Sequence, residues 1–201
     1  MIELDVLQAI RLKGRVSPED LAPVIDDDAS AIAETVARLT DSGLVLDSTT
    51  LRLSQEGRAR LEELLTAERQ AVDLDAIVAA YREFRPVNAD FKECVTDWQL
   101  KDGQPNTHDD SDYDAAVLAR LDDIHQRVIP IVATVAAQIP RLSAYERRLD
   151  AAYAKVQRGE AMWLTRPMID SYHTVWFELH EELIGAAGLT REGEARAGHA
   201  S

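Results

Sequence analysis

Apolar side chains recur every three or four residues over most of the chain, which is the spacing of helices with one buried face. The widest apolar stripe lies between Thr165 and Ile184. Its members are Met168, Ile169, Tyr172, Val175, Trp176, Leu179 and Leu183, with Phe177 and Ile184 on one shoulder. We expect Thr165 to cap this helix and Pro167 to lie in its first turn. The positions left for water are Ser171, Thr174, Glu178 and Glu182. The pattern predicts a helix packed on several sides at the centre of an all-α domain.

Residues 1–66 show a different order of predicted elements. Apolar spacing indicates a first helix ending at Gly14, a short second helix distorted by Pro23, and a third helix running to about Asp41. Two short apolar segments, 44–46 and 51–53, flank a polar turn and predict a β-hairpin, after which Ser54 caps another helix. Three helices, a hairpin and a helix form the order of a winged helix-turn-helix.

Three segments carry a resemblance to a known family: Leu-Lys-Gly-Arg-Val-Ser-Pro-Glu-Asp-Leu (12–21), Leu-Thr-Asp-Ser-Gly-Leu-Val (39–45) and Leu-Ser-Gln-Glu-Gly-Arg (53–58). Residues 1–66 resemble winged helix-turn-helix regulators of the MarR-like kind. The resemblance implies a third helix in the DNA major groove and a wing on the phosphates. The DNA-binding residues that it implies are Ser30, Glu34, Arg38 and Arg52.

Acidic residues leave an alternative open for this winged helix. Asp26, Asp27 and Asp28 crowd the end of the third helix that would approach DNA, and Glu34 lies centrally on its outer face. Because phosphates repel carboxylates, we expect any DNA binding to be weak. An acidic helix used for contact with a protein partner is the alternative interpretation.

From Thr66 onward the pattern is helical without a glycine- or proline-rich linker, so we expect one continuous helix to join the two parts and to end at Pro86. Further helices are predicted at about 86–100, 113–139 (kinked at Pro130) and 140–158. The outer face of the last one is basic, with Arg141, Arg147, Arg148, Lys155 and Arg158. The predicted fold is mainly α: a winged helix domain with a small β-hairpin at 1–66 and an α-helical bundle domain at 67–201.

The central helix carries candidate ligand-binding residues. His173 and His180 are separated by about 10 Å along a helix, too far to bind one metal ion, so no metal is predicted. Asp170 lies one turn from His173 and is a candidate partner for it, and Phe177 lies between the two histidines. The alternative is that both histidines are structural and hydrogen-bonded.

A second candidate site lies at the predicted start of the central helix. Arg158, Trp163 and Arg166 surround an N-terminus whose free N–H groups favour a carboxylate or phosphate. Ordinary capping beside a surface arginine is the alternative. No nucleophile elbow, Walker loop or glycine-rich dinucleotide turn occurs in the sequence, so we predict no catalytic residue, no cofactor and no enzyme activity.

Composition narrows the partners. The net charge is −14, and residues 1–66 alone hold seven Lys/Arg against thirteen Asp/Glu, which disfavours non-specific attraction to nucleic acid or anionic lipid. Cys94 is the single cysteine, so no intrachain disulfide can form, which fits a cytoplasmic protein. No apolar run approaches the ~20 residues of a membrane helix, so no membrane partner is predicted.

A weaker resemblance involves Thr-Asp-Trp-Gln-Leu (96–100) and Asp-Ser-Tyr-His-Thr-Val-Trp-Phe-Glu-Leu-His-Glu (170–181). These segments look like parts of helical regions that accompany actinobacterial proteins labelled pyruvate, phosphate dikinase. That resemblance implies a regulatory or accessory module and no dikinase catalysis. We therefore expect a non-enzymatic regulator whose winged helix contacts DNA and whose bundle forms a homodimer or senses a small molecule. The alternative is a protein-interaction module of a phosphoenolpyruvate- or pyruvate-handling enzyme.

Overall fold

The computed structural model describes residues 2–196 and 198, and this part of the chain is mainly helical, as predicted. Its α-helices are α1 Ile2–Lys13, α2 Ala29–Asp41, α3 Gln55–Gln70, α4 Leu74–Gln99, α5 Ser111–Ala136, α6 Ser143–Gln157, α7 Met162–Thr165, α8 Tyr172–Ala186 and α9 Arg191–Arg196. Two antiparallel hairpins pair β1 Val45–Asp47 with β2 Leu51–Leu53, and β3 Leu100–Lys101 with β4 Gln104–Pro105. The chain divides into two compact units, Met1–Val72 and Asp73–Ser201. None of the described helices is long and apolar enough to span a bilayer.

The first unit packs α1, α2 and α3 with the first hairpin around one apolar core. The predicted hairpin is confirmed, and Val16 extends it through an antiparallel bridge to Leu51. The predicted second helix is reduced to a 3-10 turn, Pro18–Asp20, followed by hydrogen-bonded turns. Pro23 explains the difference, because its missing N–H cannot bond back to the carbonyl of residue 19.

Gly57 explains why the hairpin and α3 can meet closely. The Ser54 hydroxyl accepts a hydrogen bond from the Gly57 N–H (2.9 Å), while the Ser54 N–H donates to the Leu44 carbonyl (3.0 Å). A Cβ on Gly57 would lie 2.0 Å from the Leu44 oxygen, well inside contact distance. The first turn of α3 therefore requires glycine at this position.

In the second unit, α4 packs against α5 and α8, and α6 packs against α5 and α8. Helix α4 runs through Pro86, so the prediction that this proline ends a helix is wrong. Pro86 is exposed, and the carbonyl that its ring deprives of a partner can bind water. The continuous helix between the two parts is wrong too: α3 ends at Gln70, and the Asp73 carboxylate caps α4 by accepting the Ala76 N–H (3.2 Å).

The predicted central helix is shorter at its start than its apolar stripe suggested. Helix α8 begins at Tyr172, where the Ser171 hydroxyl accepts the Thr174 N–H, and neither Thr165 nor Pro167 belongs to it. Met168 is 95% exposed with φ +68°, on the segment between α7 and α8, so its predicted burial is wrong. The core of the stripe is confirmed, since Tyr172, Val175, Trp176, Leu179 and Leu183 are buried.

Candidate functional site

A half-open cleft of about 230 Å³ lies in the second unit, between α4 and α8 and beside α9. Its lining residues are Asn88, Phe91, Lys92, Val95, Thr96, Gln99, His173, Trp176, Phe177, His180 and Arg191. The rings of Phe91 and Trp176 stack with centroids 4.2 Å apart, and the Trp176 indole N–H donates to the Asn88 side-chain oxygen (2.9 Å). This bond satisfies a buried indole donor and fixes the ring, so the apolar floor of the cleft is pre-formed.

Helix α8 leaves two side chains exposed, His173 and Phe177, and both line the cleft. They are four residues apart and therefore lie on one face of the helix. The His173 ring also contacts Phe91, with centroids 6.1 Å apart, and partial withdrawal from water lowers its pKa. An aromatic surface thus stays open to solvent on a helix that is otherwise largely buried.

The charged groups of the cleft are cationic. Lys92 and Arg191 line it, and none of the eleven lining residues carries a carboxylate. The Arg191 guanidinium lies over the Phe177 ring, 4.7 Å from its centroid, and forms an ion pair with Glu181. Arg191 belongs to α9, so the last described helix places its guanidinium at the edge of the cleft.

A buried hydrogen-bond chain connects the cleft to α9. The Tyr81 hydroxyl donates to the Glu194 carboxylate (2.7 Å), and the His180 Nε2 lies 3.3 Å from the same hydroxyl. Because a tyrosine has one O–H, already donated, His180 must carry its proton on Nε2 to bond here. Burial, and then the adjacent Glu194, raise the pKa of Tyr81. The Arg85 guanidinium donates hydrogen bonds to both oxygens of the Glu194 carboxylate, at 2.8 and 3.0 Å.

The sequence-predicted ligand residues divide into two groups. His173, Phe177 and His180 come together in the cleft, whereas Arg158, Trp163, Arg166 and Asp170 do not line it. The second predicted site depended on a helix that begins only at Tyr172, so Trp163 and Arg166 do not surround its N-terminus. The prediction of an anion site formed by these residues at that N-terminus is therefore wrong.

The four residues outside the cleft have other surroundings. Trp163, on α7, lies under the Lys155 ammonium at 3.1 Å, and Arg158 pairs with Glu160 at 2.9 Å. Arg166 is exposed. The Asp170 carboxylate binds the Arg148 guanidinium through two bonds, at 2.9 and 3.1 Å, where the sequence had suggested His173 as its partner.

Arg148 centres a buried ionic network that the sequence did not predict. It was expected on a basic outer face, yet it is 4% exposed and also binds Glu178 at 2.7 Å. Glu178 and Glu182, both predicted to face water, are 2% and 3% exposed, and Glu182 is held by Arg141 at 2.8 Å. Burial lowers the pKa of Arg148, but the neighbouring carboxylates of Glu178 and Asp170 raise it by more. The pKa of Arg148 is therefore above the ordinary value of an arginine. The network joins α6, α8 and the segment that precedes α8.

His125, a second feature that the sequence did not single out, stacks on Tyr153 with centroids 4.0 Å apart. Its Nε2 lies 3.2 Å from an Asp150 oxygen and its Nδ1 lies 3.2 Å from the Tyr172 hydroxyl. Since a carboxylate only accepts, Nε2 carries the proton and Nδ1 accepts from Tyr172. Burial lowers the pKa of His125 despite the nearby Asp150 and Asp122. No local motif marks this residue, because its partners come from three other helical positions.

In the first unit, all four DNA-contact candidates are exposed: Ser30, Glu34 and Arg38 on α2, and Arg52 on β2. Arg38 pairs with Glu3 at 3.0 Å, and Arg60 binds the same carboxylate at 2.9 Å. The hydrogen bond from Arg60 lowers the pKa of Glu3. Burial opposes this effect, and the hydrogen bond from Arg38 adds to it, so the pKa stays below its ordinary value. Arg38 is therefore already partly neutralised on the face that would meet a phosphate.

The bridge between Val16 and Leu51 brings the chain segment that holds a further arginine next to the hairpin. Arg15 lies in a bend and directly precedes Val16, Arg52 directly follows Leu51, and both arginines are exposed. The sequence did not reveal this pair, because the two arginines are thirty-seven positions apart and only the strand pairing unites them.

Within the described residues, no three His, Cys, Asp or Glu side chains form a group that could hold a metal ion. Cys94 is buried, and withdrawal from water raises the pKa of its thiol to about 11, so it is a poor nucleophile. The sequence matches no protein-family model, and neither a curated protein nor a solved structure shows significant similarity to it.

Proposed function

We propose that this chain is a non-enzymatic regulator whose first unit is a winged helix-turn-helix that contacts DNA, and whose second unit senses a small molecule in the cleft. The observation that carries the DNA part is the small sheet of the first unit. After α1, Val16 bridges to the hairpin, and the Pro18–Asp20 3-10 turn, α2, the hairpin and α3 follow, which is the predicted winged-helix order with the second helix shortened to a turn.

Two exposed arginines next to the Val16–Leu51 bridge support phosphate contact. Arg15 precedes Val16 and Arg52 follows Leu51, in a unit whose acidic residues outnumber its basic ones by thirteen to seven over residues 1–66. A DNA phosphate beside the wing would be attracted by both guanidinium groups and would fix the register of α2 on the duplex.

The same charges set a limit on the affinity. Arg15, Arg38 and Arg52 offer about three phosphate contacts per chain, and each contact contributes about −0.9 to the slope of log affinity against log salt. Binding should then weaken about 40-fold between 50 and 200 mM salt. A protein that relies on many phosphate contacts would show a far steeper loss.

Selection from a random duplex library with the full chain at 50 mM salt tests the DNA contact. We expect one enriched sequence, bound with this shallow salt dependence. Arg52→Glu should abolish the enrichment, whereas Arg58→Glu, an exposed arginine on α3, should preserve it. Failure to enrich any duplex under these conditions would overturn the DNA part of the proposal.

A second candidate function is supported by α2 itself. Asp28 caps α2, Asp26 and Asp27 are exposed just before it, and Arg38 is engaged by Glu3, so the charged groups exposed on and beside this helix are mainly carboxylates. Such a surface suits a basic protein partner, as in an accessory module of a phosphoenolpyruvate- or pyruvate-handling enzyme. In that case the duplex selection fails, and Glu34→Lys weakens association with a purified pyruvate, phosphate dikinase, while Arg58→Glu leaves that association unchanged.

A further inference from the structure

The α4/α8 cleft has an electrostatic character opposite to that of the chain. The protein carries thirty-six Asp and Glu among 201 residues, so about two acidic residues would be expected by composition among eleven, and none lines the cleft. Lys92 and Arg191 supply positive charge there. An anion is repelled by most of this acidic protein, and the cleft is a place where it meets cations instead.

The cleft also provides a flat apolar surface. Phe91 and Trp176 form a stacked floor, Val95 adds an aliphatic wall, and Phe177 remains exposed at the edge. A volume of about 230 Å³ lies below the ~300–1,000 Å³ typical of drug-sized ligands. A molecule of one or two fused rings is the size that fits.

We propose that the cleft binds a small aromatic anion, whose ring lies on Phe91, Trp176 and Phe177 and whose anionic group takes Arg191 from Glu181. This inference rests on the sensing role proposed above and names the chemical class of the ligand. The ligand must break the Arg191–Glu181 ion pair, so its anionic group and the Glu181 carboxylate compete for one guanidinium.

Because Arg191 lies on α9, ligand binding would change how α9 is attached to α8. Arg191 and Glu194 belong to this six-residue helix; Arg191 holds it to α8 through Glu181, and Glu194 holds it to α4 through Tyr81 and Arg85. When the ligand binds Arg191, the attachment to α8 passes through the ligand while the Glu194 attachment persists. The His180–Tyr81–Glu194 bonds keep α9 beside the cleft in both states.

Calorimetric titration of the full chain with four probes tests the ligand class. The probes are 1-naphthoate, its uncharged analogue 1-naphthalenemethanol, phosphoenolpyruvate and inorganic phosphate. We expect 1-naphthoate to bind at least about tenfold more tightly than the alcohol, because a charge-assisted hydrogen bond is lost with the carboxylate. Phosphoenolpyruvate and phosphate, which lack a ring, should not bind measurably. Equal affinity for the acid and the alcohol would overturn the anion requirement, and binding of the ring-free anions would overturn the aromatic one.

Three variants test the residues. Arg191→Gln should weaken 1-naphthoate binding about tenfold, whereas Arg196→Gln, an exposed arginine on the same helix, should leave it unchanged. Glu181→Gln should tighten binding, because the competing carboxylate is removed. A Glu181→Gln variant that binds no more tightly than the wild type refutes the exchange at Arg191.

The two proposals fail separately. If no duplex is enriched but 1-naphthoate binds with this pattern of variants, the cleft stands and the DNA contact falls. If a duplex is enriched but 1-naphthoate binds no more tightly than its alcohol, the DNA contact stands and the ligand class falls.

Discussion

Replacing Glu178 by alanine should strongly destabilise the second unit, although the sequence placed this residue on the wet face of its helix. Glu178 is 2% exposed and binds Arg148, whose guanidinium is also buried. Removing one member of a buried ion pair costs about 3–5 kcal/mol, because the remaining charge loses its partner without gaining water. Asp170 still holds Arg148 through two bonds, so we expect a loss of about 3 kcal/mol, the lower end of that range.

Urea denaturation followed by tryptophan fluorescence measures this loss. All three tryptophans, Trp98, Trp163 and Trp176, lie in Asp73–Ser201, so the signal reports on this unit alone. With a denaturant dependence of about 1.5 kcal/mol/M, a loss of 3 kcal/mol lowers the midpoint by about 2 M. Glu93→Ala, at an exposed position on α4, serves as the control and should cost less than about 0.5 kcal/mol.

A double variant separates the ion pair from simple packing. Glu178→Leu combined with Arg148→Met removes both charges and keeps the volume, and such replacements are often neutral or stabilising. We expect the double variant to recover most of the stability lost in Glu178→Ala, because Asp170 is partly exposed and can be solvated. A Glu178→Ala midpoint within experimental error of the wild type would refute the burial argument.

Three further predictions concern stability. Gly57→Ala should disrupt the first unit, because its new methyl group would meet the Leu44 carbonyl. Gly185→Ala has open space around its Cβ position and should be neutral or stabilising by up to about 1 kcal/mol. Thermal melts followed by circular dichroism compare the two variants. Trp176→Ala should cost about 3–5 kcal/mol in the fluorescence assay, read from the other tryptophans, and a wild-type midpoint would contradict the packed floor. The pKa of His125 is lower in the folded protein than in the unfolded chain, so the unfolded chain binds the proton more readily. The free energy of unfolding should therefore rise with pH between the folded pKa and about 6.5. His125→Gln should flatten this pH dependence, and an unchanged slope would contradict the prediction.

Periodicity predicted the buried faces of the helices well where the side chains are apolar. On α5, the apolar residues at helical spacing are all buried: Val117, Leu121, Ile124, Val128, Ile131, Val132 and Val135. The hairpin and its Ser54 cap were also predictable, because turn residues and alternating apolar positions are local signals. Helix boundaries were predicted less well. Pro86 lies on an exposed face where water can satisfy the freed carbonyl, and sequence alone does not show which face a proline occupies.

Part of the cleft was also predictable, because His173, Phe177 and His180 lie on one helix at positions that share a face. The other wall was not, since Phe91 and Val95 appear in the sequence only as core residues of α4. Arg191 was missed because the segment Arg191–Arg196 has no apolar stripe that would mark it as packed, although Glu194 is buried by Tyr81 and Arg85. Residues 197 and 199–201 of the predicted bundle domain lie outside the described residues.

The burial of carboxylates on α8 explains why the side of this helix that faces the cleft is aromatic. A helical wheel assigns acidic residues to water, but Glu178 and Glu182 are each matched by an arginine from elsewhere in the unit. With those positions covered, the exposed side chains of α8 are an imidazole and a phenyl ring, His173 and Phe177. A helix that buries its charges and exposes aromatic groups has reversed the ordinary arrangement for a surface in water. Such exposure is typical of a binding surface, and the cations beside it favour an aromatic anion over a neutral ring.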